Sequence, residues 1–327
     1  MSEIRIALIG AGGIAARHLD ALARIGNVVP VGHLARSRAS AERQARRYGG
    51  DAFDDVDALL DGARPDAVLI TVPPAEHGAY EHACIDRGLP FLVEKPLSAD
   101  ADTAEHIATR LAETGLVAAV GYHWRALDTV PELRERLRER APRLAIGAWH
   151  GDTPPPRWWR TRASSGGQMI EQATHLLDLA RHLLGEATLL SAAENPTPPW
   201  AYDDADVAVA SSATVRYGGG ALGVFSATCT LAASTSVQIE FACDGLHVRM
   251  DQQGVRYDDG REIRTVRTGT DPFEVEDRAF LQAVRSGDPS SLPCDYADAL
   301  GTHRLMHAIA DAARADAAGV RQRGGVP

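Results

Sequence analysis

The chain has 327 residues, of which 45% are hydrophobic and 24% charged, and its formal net charge is −10 at pH 7. This length predicts two domains, and the composition excludes disordered, collagenous and coiled-coil proteins. The acidic balance argues against a general nucleic-acid binder, which needs a basic face, and no stretch approaches the roughly 20 apolar residues that span a bilayer.

The cysteines and the N-terminus lead to an expectation about compartment. The four cysteines form no C-x-x-C pair, and the histidines form no H-E-x-x-H pattern, so we expect no metal site. The apolar run 4–9 begins almost at once, without the basic region or cleavage site of a secretory signal. Scattered cysteines in such a chain are typical of a reducing compartment. We expect a cytoplasmic protein without nucleic-acid or membrane partners.

The first 120 residues alternate short apolar runs with amphipathic stretches. The runs predict strands at 4–9, 28–34, 67–72, 91–93 and 117–121, and the stretches between them predict helices at 14–25, 39–48, 56–60, 75–87 and 101–114. This alternation indicates βαβ units and a parallel sheet that is covered on both faces. Pro30 fits poorly, because a proline inside a central strand removes a hydrogen-bond donor.

A glycine-rich loop joins the first strand to the first helix. Residues 10–15 read G-x-G-x-x-A, in the strand–turn–helix context that a dinucleotide fingerprint requires. Gly10 allows the tight turn, Gly12 lets the backbone approach a pyrophosphate, and Ala15 allows close packing of helix on strand. The helix predicted from Ile14 presents, together with Gly13 before it, free N–H groups to the phosphates. Residues 1–121 are therefore predicted to form a dinucleotide-binding Rossmann domain.

The end of the second strand indicates which dinucleotide is bound. An NAD-selective site places an acid there, but no acid lies between Asp20 and Glu42. The chain instead carries Arg36, Ser37 and Arg38. Either arginine could pair with a 2′-phosphate and Ser37 could donate to it, although both arginines could equally be solvated. The pattern favours NADP(H) and leaves NAD(H) open.

After Gly121 the pattern changes to successive strands with few helices between them. A helix is predicted at 130–140, strands at 144–149, 188–193, 206–217, 221–230, 237–242 and 246–250, and closing helices at 273–285 and 296–317. Such a run indicates an α+β domain with a large, mostly antiparallel open sheet. We therefore predict a second domain over residues 122–327.

Two further motifs carry polar side chains. The strand 91–93 ends in Glu94-Lys95-Pro96, at the edge of the sheet where ligands of open α/β folds bind. The segment 166–185 has the period of a helix, with Glu171, His175, Asp178 and His182 on the face opposite an apolar one. For an anonymous helix, a solvated polar face is the ordinary interpretation.

Taken in order, these motifs resemble the Gfo/Idh/MocA family of oxidoreductases. The resemblance rests on the glycine loop, Thr71-Val72-Pro73-Pro74 with His77 downstream, Glu94-Lys95-Pro96 and the segment 166–185, which together cover nearly the whole chain. It implies that the loop containing Thr71, Val72, Pro73 and His77 contacts the cofactor. It also implies that Glu94 lies near the nicotinamide ribose and that Lys95 lies between cofactor and substrate. A cis Lys95–Pro96 bond is expected, since cis bonds are essentially confined to X–Pro.

In the family, an acid and a histidine four residues apart face the substrate, and the corresponding residues here are Glu171 and His175. The usual acid is Asp, so Glu171 is a departure whose longer arm could shift the geometry. His175 can take or give the alcohol proton, and Lys95 can polarise the oxygen. Lys95 could instead be the proton donor. We expect Asp178 to hold the helix in place and His182 to lie at the surface.

Four residues are candidates for substrate contact: Tyr122 and Arg125 at the domain junction, and Trp158 and Trp159 before the catalytic segment. Tryptophans beside arginines suit a sugar-like ligand, although packing is an equal alternative. The resemblance further implies that the second domain forms a homodimer or homotetramer through the open face of its sheet.

These observations predict an enzyme that transfers hydride between NADP(H) or NAD(H) and a secondary alcohol or ketone of a sugar, cyclitol or related polyol. A noncatalytic dinucleotide-binding regulator is one alternative, against which intact Lys95 and His175 argue. A redox-neutral epimerase or glycosidase with retained cofactor is another, and nothing in the sequence excludes it.

Overall fold

Residues 3–323 are described by a computed structural model, and they divide into two units. The first unit contains the chain up to residue 126 together with 270–300, and the second contains 127–269 and the residues from 301 onwards. Within the described range, no helix has the length and apolar character needed to cross a membrane.

The first unit is built on a six-stranded parallel sheet in the order β3-β2-β1-β4-β5-β6. Two separate core clusters cover its two faces, as the near-continuous apolar strands predict. The strands are β1 (Ile4–Ile9), β2 (Val28–Leu34), β3 (Asp51–Phe53), β4 (Ala67–Ile70), β5 (Phe91–Val93) and β6 (Ala118–Val120). The helices between them are α1 (Gly13–Ile25), α2 (Arg38–Tyr48), α3 (Val56–Ala63), α4 (Ala79–Asp86) and α5 (Ala101–Thr114).

The predicted strand around Pro30 is present, and an irregularity in pairing accommodates the proline. Pro30 lies opposite Ile6, but Gly32 lies opposite Ala7, so one extra residue is inserted in β2. On the other side, β3 pairs only from Gly32 onward, so no ladder bond requires an N–H from Pro30. The short strand β3 was not predicted, because three residues carry too little periodicity to be recognised.

The second unit contains an eight-stranded sheet in the order β14-β13-β12-β11-β7-β10-β9-β8. Only the pairing of β7 with β10 is parallel among these strands, which confirms the predicted open and mostly antiparallel sheet. The strands are β7 (Pro142–His150), β8 (Ala187–Asn195), β9 (Ala210–Tyr217), β10 (Leu222–Thr228), β11 (Ser236–Cys243), β12 (Leu246–Asp251), β13 (Gly254–Asp258) and β14 (Ile263–Arg267). The helices are α6 (Val130–Glu139), α7 (Arg157–Arg160), α8 (Arg162–Ser165), α9 (Gln168–Glu171) and α10 (Thr174–Leu184).

Residues 270–300 return to the first unit. The helix α11 (Pro272–Ser286) packs on α1, and its residues Phe280 and Leu281 join the core cluster beneath that helix. Asp295 bridges to Ala119 on the edge strand β6, and the last helix, α12 (Tyr296–Arg323), begins by packing Tyr296 into the other core cluster. A single boundary after residue 121 would place residues 270–300 in the second unit, although they belong to the first. Amphipathic periodicity shows which helix face is buried but not against which domain it is buried.

Candidate active site

The glycine loop places Gly10 at the point where the ends of β1 and β4 meet. Gly10 has φ +109°, and a Cβ there would lie 2.5 Å from the carbonyl oxygen of Thr71. Thr71 in turn donates its N–H and its hydroxyl to the Ile9 carbonyl, at 2.7 and 3.1 Å. Gly10 is therefore required by the packing of the two loops, before any ligand is considered.

Gly12 and Gly13 differ from Gly10 because they face open space. A Cβ on either would meet no described atom within 4 Å, and both residues are exposed together with Ile14. Gly12 caps α1, and among residues 3–323 no side chain bonds to this helix start and no acid occupies its first turn. The first-turn N–H groups and the positive end of the helix dipole are thus available to an anion.

The three residues after β2 have different surroundings. Ser37 caps α2, and its hydroxyl accepts the Ser40 N–H at 3.3 Å. Arg38 donates to Glu42 and Asp54 at 3.2 and 2.8 Å, in exposed pairs that contribute little to stability. Arg36 is exposed and forms no ion pair with a described residue.

The loop after β4 holds His77 in a fixed orientation. Its Nδ1 lies 2.6 Å from Glu81, whose other carboxylate oxygen accepts the Gly78 N–H at 2.6 Å. Both side chains are buried, and His77 Nε2 has no hydrogen-bond partner among the described residues. Thr71, Val72 and Pro73, which precede it, are half-buried. Cofactor contact by this loop remains a prediction.

Glu94 and Lys95 follow β5, and the Lys95–Pro96 bond is cis, as expected. The Glu94 carboxylate is buried and accepts the Lys95 N–H at 3.1 Å. Gly121 forms one wall of its position, because a Cβ there would lie 2.8 Å from the carboxyl carbon of Glu94. Lys95 itself is half-buried at the carboxyl end of the sheet.

Glu94 belongs to a buried arrangement that sequence analysis did not find. His18 Nδ1 lies 2.7 Å from Asp277, and His18 Nε2 lies 3.3 Å from Glu94. We call these three side chains the imidazole–carboxylate network. They come from α1, the end of β5 and α11, separated by up to 259 residues. No local motif could have indicated such a contact.

The network sets the charge of its members. Burial alone would lower the pKa of His18, but Asp277 and Glu94 together raise this pKa well above its ordinary value. Burial would raise the pKa of Glu94, whereas His18 holds this pKa below its ordinary value. Burial raises the pKa of Asp277 despite the opposing effect of His18. At neutral pH the geometry therefore favours an imidazolium beside an ionised Glu94.

Two further residues of α11 approach this network. Glu276 is buried. One oxygen of its carboxylate, one oxygen of the Glu94 carboxylate and one nitrogen of the His18 ring all lie within 4.8 Å of one another. Both ring nitrogens of His18 already face carboxylates, so we interpret the group as an ion-pair cluster. Phe273 stacks on His123 at 4.8 Å between ring centroids. Burial lowers the pKa of His123 to about 4, against the attraction of Glu94 and with added repulsion from Lys95.

In the second unit, the segment predicted as one helix is two, α9 and α10, separated at residues 172–173. The Gln168 carbonyl accepts both the Gln172 and the Ala173 N–H groups, at 2.9 Å each. The second of these bonds spans five residues and widens the turn. The predicted i, i+4 pair on a continuous helix is therefore corrected: Glu171 ends α9, and His175 lies in the first turn of α10.

Glu171 is held by a neighbouring indole. Trp159 Nε1 donates to its carboxylate at 2.6 Å, and the Trp159 ring is buried in a small cluster with Val207 and Cys229. Trp158 is half-buried and packs on this cluster. Trp159 therefore orients Glu171, a role that differs from the direct substrate contact expected of it.

His175 is buried, and the ring of Trp149 stacks on it at 5.8 Å with an interplanar angle of 20°. Trp149 lies on β7 and is half-buried, and sequence analysis did not single it out because one aromatic residue in a strand carries no signal. Asp178 accepts the Thr302 hydroxyl at 2.7 Å in the interior, which agrees with a role in holding the helix. His182 is half-buried and contacts Arg134.

Tyr122 and Arg125 lie in structural contacts of the first unit. Tyr122 is fully buried in one of the core clusters. Arg125 is also buried; its guanidinium pairs with Asp298 and donates to the Pro293 carbonyl. These surroundings favour packing roles over the substrate contacts that were expected.

The chain matches two family models. Residues 4–122 match the description "Oxidoreductase family, NAD-binding Rossmann fold", and residues 141–247 match the "GFO/IDH/MocA C-terminal domain". Among curated relatives, it is 27% identical to the 4-carboxy-2-hydroxymuconate-6-semialdehyde dehydrogenase of Sphingobium sp., over 88% of this chain and 93% of that protein. It is also 27% identical to the inositol 2-dehydrogenase of Mycolicibacterium smegmatis, over 91% and 88% of the two chains.

Among solved structures, the fold is similar to KijD10, a 3-ketoreductase from Actinomadura kijaniata in complex with NADP and TDP-benzene. The TM-score is 0.84 at 22% identity, over 95% of this chain and 98% of that one. A Rossmann unit with an intact glycine loop, followed by an open and mostly antiparallel sheet, is the architecture that the two family models describe. The chain belongs to the Gfo/Idh/MocA family of oxidoreductases and is accordingly a nicotinamide-dependent dehydrogenase or reductase.

The contrast between Gly10 and Gly12 leads to a prediction for a pair of alanine variants. Gly10→Ala should lower the free energy of unfolding by more than about 2 kcal/mol, because its Cβ overlaps Thr71 and its φ is positive. Gly12→Ala should unfold at the wild-type temperature without cofactor, yet bind NADPH or NADH weaker by on the order of tenfold or more. Thermal unfolding and nicotinamide fluorescence measure the two effects. Unchanged dinucleotide affinity in Gly12→Ala would contradict the assignment of this loop.

Proposed function

We propose that this enzyme transfers hydride between NADP(H) and a secondary alcohol or ketone of a sugar, cyclitol or related polyol. The observation that carries the proposal is the presence of Lys95 at the carboxyl end of β5 and of Glu171 and His175 on either side of the junction between α9 and α10. The inositol dehydrogenase among its relatives supports a polyol substrate. Another relative is a semialdehyde dehydrogenase, so a substrate panel should contain semialdehydes as well as polyols.

In the first unit, we assign the pyrophosphate to the start of α1, where the N–H groups of the first turn face open space. We assign ribose hydroxyls of the cofactor to the Glu94 carboxylate, which keeps acceptor capacity beyond its bond from the Lys95 N–H. When bound, the nicotinamide carries the hydride. The ammonium group of Lys95 would stabilise negative charge on the substrate oxygen.

In the second unit, we assign proton transfer to His175. Its imidazole would take the hydroxyl proton when an alcohol is oxidised and return it when a ketone is reduced. Glu171, oriented by Trp159, would accept from a substrate hydroxyl or orient the imidazole. The stack of Trp149 on His175 fixes the plane of the ring and offers an aromatic edge that suits the apolar face of a sugar.

The proposed preference for NADPH depends on Arg36. NADPH should bind more tightly than NADH, and Arg36→Ala should weaken NADPH by about 10- to 100-fold while leaving NADH nearly unchanged, because an arginine–phosphate hydrogen bond is charge-assisted. The family description names NAD, whereas the KijD10 structure holds NADP, so the two cofactors need direct comparison. Titration of cofactor-stripped protein, followed by nicotinamide fluorescence, measures both affinities.

Arg46→Ala is the matched control for Arg36→Ala, because Arg46 is an exposed arginine of α2 that pairs with Glu42. It should leave both affinities unchanged. A wild-type preference for NADH would refute the role of Arg36 and keep the oxidoreductase assignment.

Substitution of the assigned acid–base residues should lower the rate of the reaction without weakening cofactor binding. His175→Asn should lower kcat by about 10²- to 10⁴-fold with unchanged dinucleotide affinity, because general acid–base catalysis contributes that much. Lys95→Met should lower kcat comparably. His182→Asn is the control. It makes the same chemical change about two turns further along α10 and should keep most of the activity. Absorbance at 340 nm over a panel of cyclitols, sugars and semialdehydes gives the rates.

Two results of that assay would change the proposal. Full activity in His175→Asn would remove the residue from the mechanism. Product formation without net change at 340 nm would replace a dehydrogenase by a redox-neutral enzyme with retained cofactor.

We also propose a homodimer or homotetramer that uses the open sheet of the second unit. Ile146 on β7 and Val224 on β10 are register partners in the centre of this sheet, and both are about 40% exposed (41% and 39%). Adjacent apolar side chains on a sheet face favour burial against a second copy. The cysteine usage keeps the cytoplasm as the proposed compartment.

Ile146→Glu should convert the oligomer to a species near the 34.9 kDa mass of one chain, because it places a charge in the proposed interface. Ile263→Glu is the control, since Ile263 is 58% exposed on the edge strand β14, away from the sheet centre. Light scattering coupled to size exclusion measures the mass. A wild-type monomer would exclude the proposed assembly.

A further inference from the structure

We propose that His18 and Asp277 are positioning residues for Glu94: they hold its carboxylate ionised and in one orientation, so that it can accept hydrogen bonds from the cofactor ribose. The inference rests on the cofactor site proposed above, and it gives the returning helix α11 a part in that site.

The geometry constrains Glu94 from three sides. His18 Nε2 lies 3.3 Å from Oε1, and the Lys95 N–H donates to Oε2 at 3.1 Å. The backbone of Gly121 closes the third side, where there is no room for a Cβ. Asp277 lies 2.7 Å from the opposite nitrogen of His18 and so fixes the plane of the imidazole that faces Glu94. Carboxylates fix the orientation of metal-binding histidines in the same way.

The charge of Glu94 depends on the same two residues. A buried carboxylate without a cationic partner takes up a proton, and a carboxylic acid would donate to a hydroxyl instead of only accepting from it. His18 supplies the cation, and Asp277 keeps His18 protonated against the cost of burial. Without Asp277, the same imidazole would lose its proton more readily and Glu94 would lose its partner.

The other charged groups around the network come from each element packed against it. His123 acts on Glu94 from the turn 123–126 and Lys95 acts on it from the end of β5, while Glu276 and Asp271 approach the network from α11. Arg17 of α1 acts on His123. His123 stays neutral above a pH of about 4, so it does not replace the charge of His18. His18 is thus the imidazole whose protonation governs Glu94 in the neutral range.

The position of α11 is secured independently of the network. Arg24 of α1 donates to Asp271 and Glu274, at 2.6 and 3.1 Å, and the guanidinium of Arg17 lies 4.1 Å from the centre of the Phe273 ring. Removing the carboxylate of Asp277 therefore leaves these contacts and the apolar packing of the helix in place. A variant at this residue can be expected to fold.

The test measures dinucleotide affinity between pH 6 and pH 9 in five proteins: the wild type and four variants. The wild type should change least with pH, because Asp277 and Glu94 hold the pKa of His18 well above its ordinary value. In Asp277→Asn the pKa of His18 should fall, because the largest interaction that raises it is lost, so affinity should decline by about 10- to 100-fold as pH rises and the imidazolium is lost. His18→Gln should bind weakly throughout, since it carries no imidazolium at any pH.

Glu274→Gln is the matched control. It makes the same change of charge on the same helix, at a half-buried residue outside the network, and its pH profile should follow the wild type. Asp277→Glu, which restores a carboxylate, should recover a flat profile. A merely structural role of Asp277 would lower the unfolding temperature of Asp277→Asn without introducing any pH dependence in binding.

The outcomes separate the two proposals. If the wild type binds dinucleotide and Asp277→Asn binds equally well at every pH, the positioning role is refuted and the proposed function stands. If the wild type binds neither NADPH nor NADH, the proposed function fails and the positioning role with it. Should Asp277→Asn not fold, the NMR titration of the His18 ring in the wild type decides: a neutral ring at pH 7 overturns the proposal.

Discussion

A buried carboxylate remains ionised only where a cation and hydrogen-bond donors meet it, and the Rossmann unit is organised around this requirement at Glu94. The carboxylate follows β5, an interior strand of the sheet, where desolvation favours the protonated acid. Its cation is His18, on the buried face of the helix that also begins at the glycine loop. One helix therefore carries the proposed phosphate site at its N-terminus and, about a turn and a half later, the cation that faces Glu94.

The same requirement explains why the chain returns to its first unit. His18 is surrounded by an interior that would remove its proton, and the second carboxylate that prevents this comes from α11, more than 250 residues later. Phe280 and Leu281 on the buried side of that helix complete a core cluster, while Phe273 packs against both His18 and His123. Packing and electrostatics are thus supplied by one segment, and neither is available to residues 1–121 alone.

Local features of the molecule were predictable and long-range ones were not. The strand and helix periods, the G-x-G-x-x-A loop and Glu94-Lys95-Pro96 are each contained in fewer than 20 residues, and most predicted elements of both sheets are present. The network of His18, Glu94 and Asp277 joins three distant segments, so no spacing rule indicates it. The break between α9 and α10 escaped prediction for another reason: the apolar pattern of residues 166–185 is that of one continuous helix, whereas the bond over five residues moves Glu171 relative to His175. For Trp159, ligand contact and packing were equal alternatives in the sequence, because its local pattern does not show that the indole is buried and donates to Glu171.

The energetics of buried ion pairs bear on what the network is for. Replacing such a pair by apolar residues of similar volume is often neutral or stabilising, because desolvation offsets the Coulomb attraction. The first unit has two apolar clusters that hold its sheet without contributions from His18 or Asp277. Apolar residues at those two positions could fill the same space, but they could not keep a proton off Glu94. The charges of His18 and Asp277 are therefore needed to keep Glu94 ionised. An ionised Glu94 matters where its carboxylate accepts hydrogen bonds from a ligand, as proposed for the cofactor ribose.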